Sequence, residues 1–154
     1  MLHPNQFKVN DAWVAFGLND VPVPTREDGE LRFVALMDAA SCFLLAAVPS
    51  SFASPLSREE EARELFRQAW VHKEISPRQL FVVEEERYAI LEMVATEIGI
   101  SIMCVPSKEL AVFIKEAKVG FAEHFGLGKS KHQPGRRKIS ASRILKARKR
   151  VKPN

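Results

Sequence analysis

The residues with the most concentrated chemistry lie at the end of the chain, where Arg136 to Asn154 read RRKISASRILKARKRVKPN. Residues 128–154 hold 11 Lys and Arg and no Asp or Glu, whereas residues 1–127 hold 12 Lys and Arg against all 19 Asp and Glu, a net of −7 that the tail turns into +4 for the whole chain. Such a cluster is a footprint for phosphates, because neutralising them releases counterions and gives affinity without regard to sequence. Arg136, Arg137, Lys138, Arg143, Lys146, Arg148, Lys149 and Arg150 are the candidate phosphate ligands. No aromatic residue is interleaved among them, so base stacking is not indicated. Ile144, Leu145, Ala147 and Val151 leave a narrow apolar seam in a possible short helix over 140–152, which opens a second use for the segment, docking on a protein partner.

The remaining reactive residue types have plainer readings. Glu84, Glu85 and Glu86 could gather a cation, but acids also complement the positive end of a helix, and that account is preferred. His3, His72, His124 and His132 show no metal-ligand spacing with one another or with cysteine. Cys42 and Cys104 each sit in an apolar run, as small buried hydrophobes do. No Ser or Cys stands in a nucleophile elbow, and Gly126-Leu127-Gly128 is too short for a nucleotide loop. The residues favour a protein without enzymatic activity and without a cofactor.

These groups need a scaffold, and 154 residues suffice for one domain with a sizeable core. The expected division is a body over 1–127 and a basic linker and tail over 128–154, with Gly128 to Gly135 as solvated linker. No apolar run approaches the length of a membrane span, and Cys42 to Val48 lacks the flanks of a signal peptide, so no membrane role and a cytoplasmic location are expected. Asp11 to Leu18 predicts a strand. Leu31 to Met37 and Cys42 to Val48 are apolar runs that predict an antiparallel hairpin covered on both faces. Ser57 and Glu60 form a capping box ahead of a helical stripe of Ala62, Leu65, Phe66, Ala69 and Trp70. Leu80 to Val83 predicts an interior parallel strand, about Glu85 to Ile98 a helix closed by Gly99, Ile100 to Val105 a strand, and Ser107 to Phe125 a helix. The expected core comprises Trp13, Phe33, Leu36, Phe43, Leu65, Phe66, Phe81, Val83, Ile90, Ile102, Phe113 and Ile114.

The order β-β-β-α-β-α-β-α implies an α/β fold on a mixed sheet, since a strand-helix-strand unit makes its strands parallel. Over about residues 11–125 this layout resembles the ribonuclease H-like fold, in particular the catalytic core of retroviral integrases and transposases. It is also similar to a bacterial domain family of unknown function. Carrying the likeness are Trp13 on the opening strand, Asp38-Ala39-Ala40-Ser41, the apolar strand ending at Pro49, Pro77 before Leu80 to Val83, and Gly99-Ile100. The resemblance implies two-metal hydrolysis by converging carboxylates. However, Phe16 or Gly17 stands where the first catalytic Asp belongs, and Val83 or Glu84 where the second does. If the chain were a nuclease, Asp38, Glu84 and Glu116 or Glu123 would have to hold Mg²⁺. Asp38 at a strand end is better read as a turn residue. Three functions follow: first, an inert ribonuclease H-like domain whose tail binds nucleic acid; second, a protein-interaction module; third, a metal-dependent nuclease. The oligomeric state is left open.

Overall fold

The computed structural model describes residues 1–73 and 75–125. The tail, with its possible helix over 140–152, lies outside the described residues. Among the described residues six strands form one mixed sheet: β1 (Ala12–Gly17), β2 (Val23–Pro24), β3 (Glu30–Asp38), β4 (Leu44–Ser51), β5 (Gln79–Val83) and β6 (Ser101–Val105). Helices α1 (Glu59–Lys73), α2 (Ala89–Glu97) and α3 (Ala111–Phe125) complete the body. Across the sheet β4 pairs with β3, β3 with β1, β1 with β5 and β5 with β6. The β1–β3 and β3–β4 pairs are antiparallel, and the β1–β5 and β5–β6 pairs parallel. The two-residue β2, in the proline-bearing loop, is a strand that the sequence pattern does not announce; it pairs with Glu30 and Leu31 of β3.

Alternation along the strands divides the core into two layers. Trp13, Ala15, Val34, Leu36, Leu80 and Val82 pack against Leu65, Phe66, Ala69, Leu91 and Val94 of α1 and α2. Val14, Phe16, Phe33, Ala35, Phe81 and Val83 pack against Leu110, Phe113 and Ile114, at and just before the start of α3. Phe7, from the N-terminal segment, roofs the second layer: its ring meets those of Phe81 and Phe113 edge-on, at 5.6 and 6.2 Å between centroids. Short-range periodicity carries no trace of that contact. The loop from β4 to α1 is pinned by a relay in which Leu56 N–H donates to Ser50 Oγ, and Ser50 Oγ–H to Glu61. Among the described residues no helix is long and apolar enough to cross a membrane.

Most of the expected core is buried, but several expectations need correction. Phe43 is 53% exposed, because Asp38 N–H donates to its carbonyl and Cys42 adopts a left-handed conformation (φ 60°), so β4 starts only at Leu44. Ile90 and Ile102 are partly buried. Trp70, placed on the inner stripe of α1, is 49% exposed. Cys104 is exposed on β6, at the sheet's edge. The first helix starts at Glu59, with the Arg58 carbonyl accepting from Glu61 and Ala62, and Glu60 pairs with Arg58. That start falls one residue after the one a cap at Ser57 would give. The second helix starts at Ala89 rather than near Glu85. Gly99 closes it in the left-handed region (φ 88°), as its position predicts. Ser107–Leu110 is a separate 3₁₀ turn before α3.

Phe113→Ala, which empties the middle of the α3 layer, is expected to cost about 3–5 kcal/mol in urea unfolding, whereas Phe43→Ala should cost under about 1 kcal/mol. Equal losses for the two would contradict this division of the core.

Candidate functional site

Strands β1 and β5 run parallel in the middle of the sheet, and the segments that leave their C-terminal ends meet the start of α3. There a cavity of about 520 Å³ opens to solvent, within the usual range for small-ligand sites. Its floor is Phe16, Val83, Ala111 and Ile114; Lys115 and Lys118 of α3 line it, as do Ser107, Glu85 and Glu86. Three residues apart on a helix, the two lysines are surface neighbours. The acids are already engaged. Ser107 N–H donates to Glu85 Oε1 at 2.9 Å, and the Glu86 carboxylate forms an ion pair with Arg32. Lys118 reaches Asp20 at 2.9 Å.

Arg32 lies on β3 with a side chain only 8% exposed. It donates to the Asn19 carbonyl, pairs with Glu86, and lies over the Phe52 ring at 5.8 Å. Gly17 makes room for it: a Cβ there would collide with the guanidinium. Burial works against the guanidinium charge, but the Tyr88 hydroxyl and the Glu86 carboxylate outweigh it and raise the pKa. Tyr88 stands beside the guanidinium, yet its hydroxyl and Arg32 Nε both lack a hydrogen bond of good geometry. Burial, then Glu86, pushes the Tyr88 hydroxyl well above the ordinary tyrosine range.

The carboxylates named from the sequence fall in different places. Asp38 is fully buried and closes the turn after β3: its carboxylate accepts from Asn10 N–H at 2.6 Å, Ser41 N–H at 3.0 Å and Ser41 Oγ–H at 2.7 Å. It pairs in register with Trp13, near the start of β1, whereas extending the β1–β5 register sets Glu84 level with Gly17. Those levels are about 13 Å apart along the strands. Glu116 and Glu123 are exposed on α3. Cys42, beside Asp38, has its thiol pushed up by burial and by the Asp38 and Glu116 carboxylates, which sets Glu116 within electrostatic reach of that far end. Among the described residues no three His, Cys, Asp or Glu side chains form a metal-holding group. Glu84 to Glu86 do not cap a helix, since α2 begins three residues later; a turn and a bridge between Val83 and Glu86 intervene. The eight basic candidates of the tail lie outside the described residues.

Sequence reasoning missed Arg32, Lys115 and Lys118. For Arg32 a signal was present, because a lone charge inside the apolar run Leu31 to Met37 must be paired if that run is buried. The spacing of the two lysines is common on solvated helices and carries no such signal.

No protein-family model and no curated protein matches the chain. Among solved structures it is similar to a chain of the simian T-cell lymphotropic virus intasome in complex with PP2A regulatory subunit B56 gamma, with a TM-score of 0.54 and 15% identity. The match covers 90% of this chain and 46% of that one, so this chain spans about half the length of its structural neighbour. The likeness gives the class as a mixed α/β fold shared with that chain. It extends to the fold alone.

Tyr88 is the chain's only tyrosine, so tyrosinate absorbance reports on this site alone. A raised folded pKa means that the contribution to stability is present below the unfolded value of about 10 and is lost as pH rises beyond it. No tyrosinate signal should appear near pH 10.5 until the chain unfolds. Glu86→Ala, which strands the Arg32 charge, should cost about 3 kcal/mol in urea unfolding.

Proposed function

We propose that the chain is a nucleic-acid-binding domain without nuclease activity, held to phosphates chiefly by its C-terminal tail. The observation that carries this reading is the charge segregation: 11 basic residues and no acid over 128–154, on a body of net −7. An acidic body repels a polyanion unless its own charges are segregated, and the cavity at the ends of β1 and β5 sets two lysines beside two glutamates. Lys115 and Lys118 line it, and its acids are committed to Ser107 and Arg32. Arg136, Arg137, Lys138, Arg143, Lys146, Arg148, Lys149 and Arg150 are the main phosphate ligands in this reading, and Lys115 adds a contact from the body.

Two features argue against hydrolysis by Mg²⁺. Phe16 or Gly17 stands where the resemblance would put a central-strand carboxylate shared between two metals, and Asp38 spends its lone pairs on a turn. The ribonuclease H-like, integrase-like assignment of the fold belongs to the same reading.

A second function, protein interaction, is favoured by a groove of about 400 Å³ lined by Trp13, Phe66, Trp70, Val94 and Ile98, with Trp70 half exposed. A large aromatic side chain left partly in water is the kind of anchor that interfaces use.

Fluorescence anisotropy on duplex DNA across a salt series separates the two. If six to eight tail charges engage phosphates, log K falls against log salt with a slope of roughly −5 to −7, with little base preference. The chain truncated after Gly128 loses that affinity. Equal affinity of full and truncated chains would contradict the tail's role, and binding that vanishes by physiological salt would favour protein interaction. Mg²⁺- or Mn²⁺-dependent cleavage abolished by Asp38→Ala or Glu84→Ala would establish the nuclease instead.

A further inference from the structure

The two edges of the sheet are built differently. On β4 the edge is interrupted by Pro49, which lacks an N–H, and by a register shift opposite Leu36 and Met37, devices that discourage strand addition. At the other edge, β6 reads Ser-Ile-Met-Cys-Val, with no charge, no proline and an unbroken five-residue register to β5. Ser101, Met103 and Cys104 are exposed, Met103 by 40%. Ser101 N–H donates to the Arg78 carbonyl, and the Val105 carbonyl accepts from Glu84 N–H, both on the β5 side. Alternation then turns the backbone groups of Ile102 and Cys104 outward, and among the described residues no strand covers them.

We propose that β6 pairs with β6 of a second copy of this chain, antiparallel and centred on Met103, to give one sheet continuous across two bodies. The register follows from the strand itself. With Met103 opposite its symmetry mate, Ile102 faces Cys104 of the second copy and Cys104 faces its Ile102. The outward-facing residues thus meet as hydrogen-bonded pairs, each exchanging two N–H to C=O bonds, and the two Met103 residues form the intervening close pair. A two-fold axis is the symmetry such a self-complementary strand requires.

Charge selects this occupant over the chain's own basic tail. The tail places 11 Lys and Arg among its 27 residues, and charged side chains, lysine above all, discourage strand addition at a sheet edge, whereas a second β6 carries no charge. Two five-residue strands meeting edge to edge bury less than the roughly 1,200 Å² of a standard interface, so the dimer forms reversibly with concentration. The inference is independent of the tail's role.

The experiment uses the full-length chain in sedimentation velocity over a concentration series. The wild type shifts from monomer to dimer as concentration rises. Cys104→Pro, which removes one outward N–H and leaves the β5 side intact, stays monomeric with an unchanged circular dichroism spectrum. Because that variant could lose its fold, a second test places one thiol on the axis. Met103→Cys in a Cys104→Ser background sets the two thiols on a close pair with Cα atoms about 4.5 Å apart, inside the disulfide range, and oxidised glutathione converts it to a covalent dimer. Ser101→Cys in the same background sets them about 13 Å apart and gives none. A wild type that is monomeric throughout, a Cys104→Pro variant that still dimerises, or equal cross-linking from positions 101 and 103 would overturn the proposal. Cross-linking lost in the full chain but regained after removal of residues 129–154 would overturn it too, by assigning the edge to the tail.

Discussion

A strand with neighbours on both sides and helices on both faces can hold no group that needs water, and β1 is in that position. Ala12 to Phe16 are closed to solvent, their amides and carbonyls are shared between β3 and β5, and their side chains are divided between the two layers of the core. Every other element answers to that burial: β3 and β5 complete its hydrogen bonds, α1 and α2 cover Trp13 and Ala15, and α3 covers Val14 and Phe16. In such a strand a carboxylate survives only when cations or hydrogen-bond donors hold it, because an isolated charge costs far more than the core can return. With apolar side chains from Ala12 to Phe16 the strand needs no cation. The central strand is given over to packing, which supplies the fold's stability.

Arg32, buried on β3 as Asp38 is buried in its turn, obeys the same constraint by another route. Its guanidinium is admitted because Gly17 has no side chain, Glu86 neutralises it and the Asn19 carbonyl accepts from it. The arrangement joins β3 to the segment after β5 across the end of β1, so three strands are tied where the cavity opens. The unsatisfied Arg32 Nε and Tyr88 hydroxyl are what that tie leaves incomplete, and each raises its cost.

Elements whose identity is set by their own residues were legible in the sequence. Leu80 to Val83 is a central parallel strand because four apolar residues in a row fit only there, and Gly99 marks a helix end because its left-handed conformation is costly for other residues. Features set by partners distant in the chain were not. Phe43 looks like core because it extends an apolar run, but the carbonyl bond to Asp38 N–H diverts it into a turn. Glu85 and Glu86 look like helix-start acids, but one holds the Ser107 amide and the other a buried arginine 54 positions earlier. Cys104 looks buried because strand composition does not say whether a strand lies inside a sheet or at its rim. The carboxylate set was legible only as residue types. That Asp38 and Glu84 lie at opposite ends follows from strand register, which a single sequence does not specify.

Register also governs what the cavity can hold. Parallel strands β1 and β5 end together, so whatever side chains close β1, follow β5 and begin α3 must share one space. If the β1 position is a carboxylate, that space gathers cations, and lysines on the facing helix compete with them. If it is Phe16, the space has an apolar floor, the remaining acids turn to local partners, and Lys115 is left facing solvent with its charge uncommitted to Asp20 or to either glutamate. One substitution in a strand closed to water thus changes what the cavity's floor offers, a charge or an apolar ring, without altering its walls, because the walls are set by backbone pairing and the floor by side chains at the strand ends.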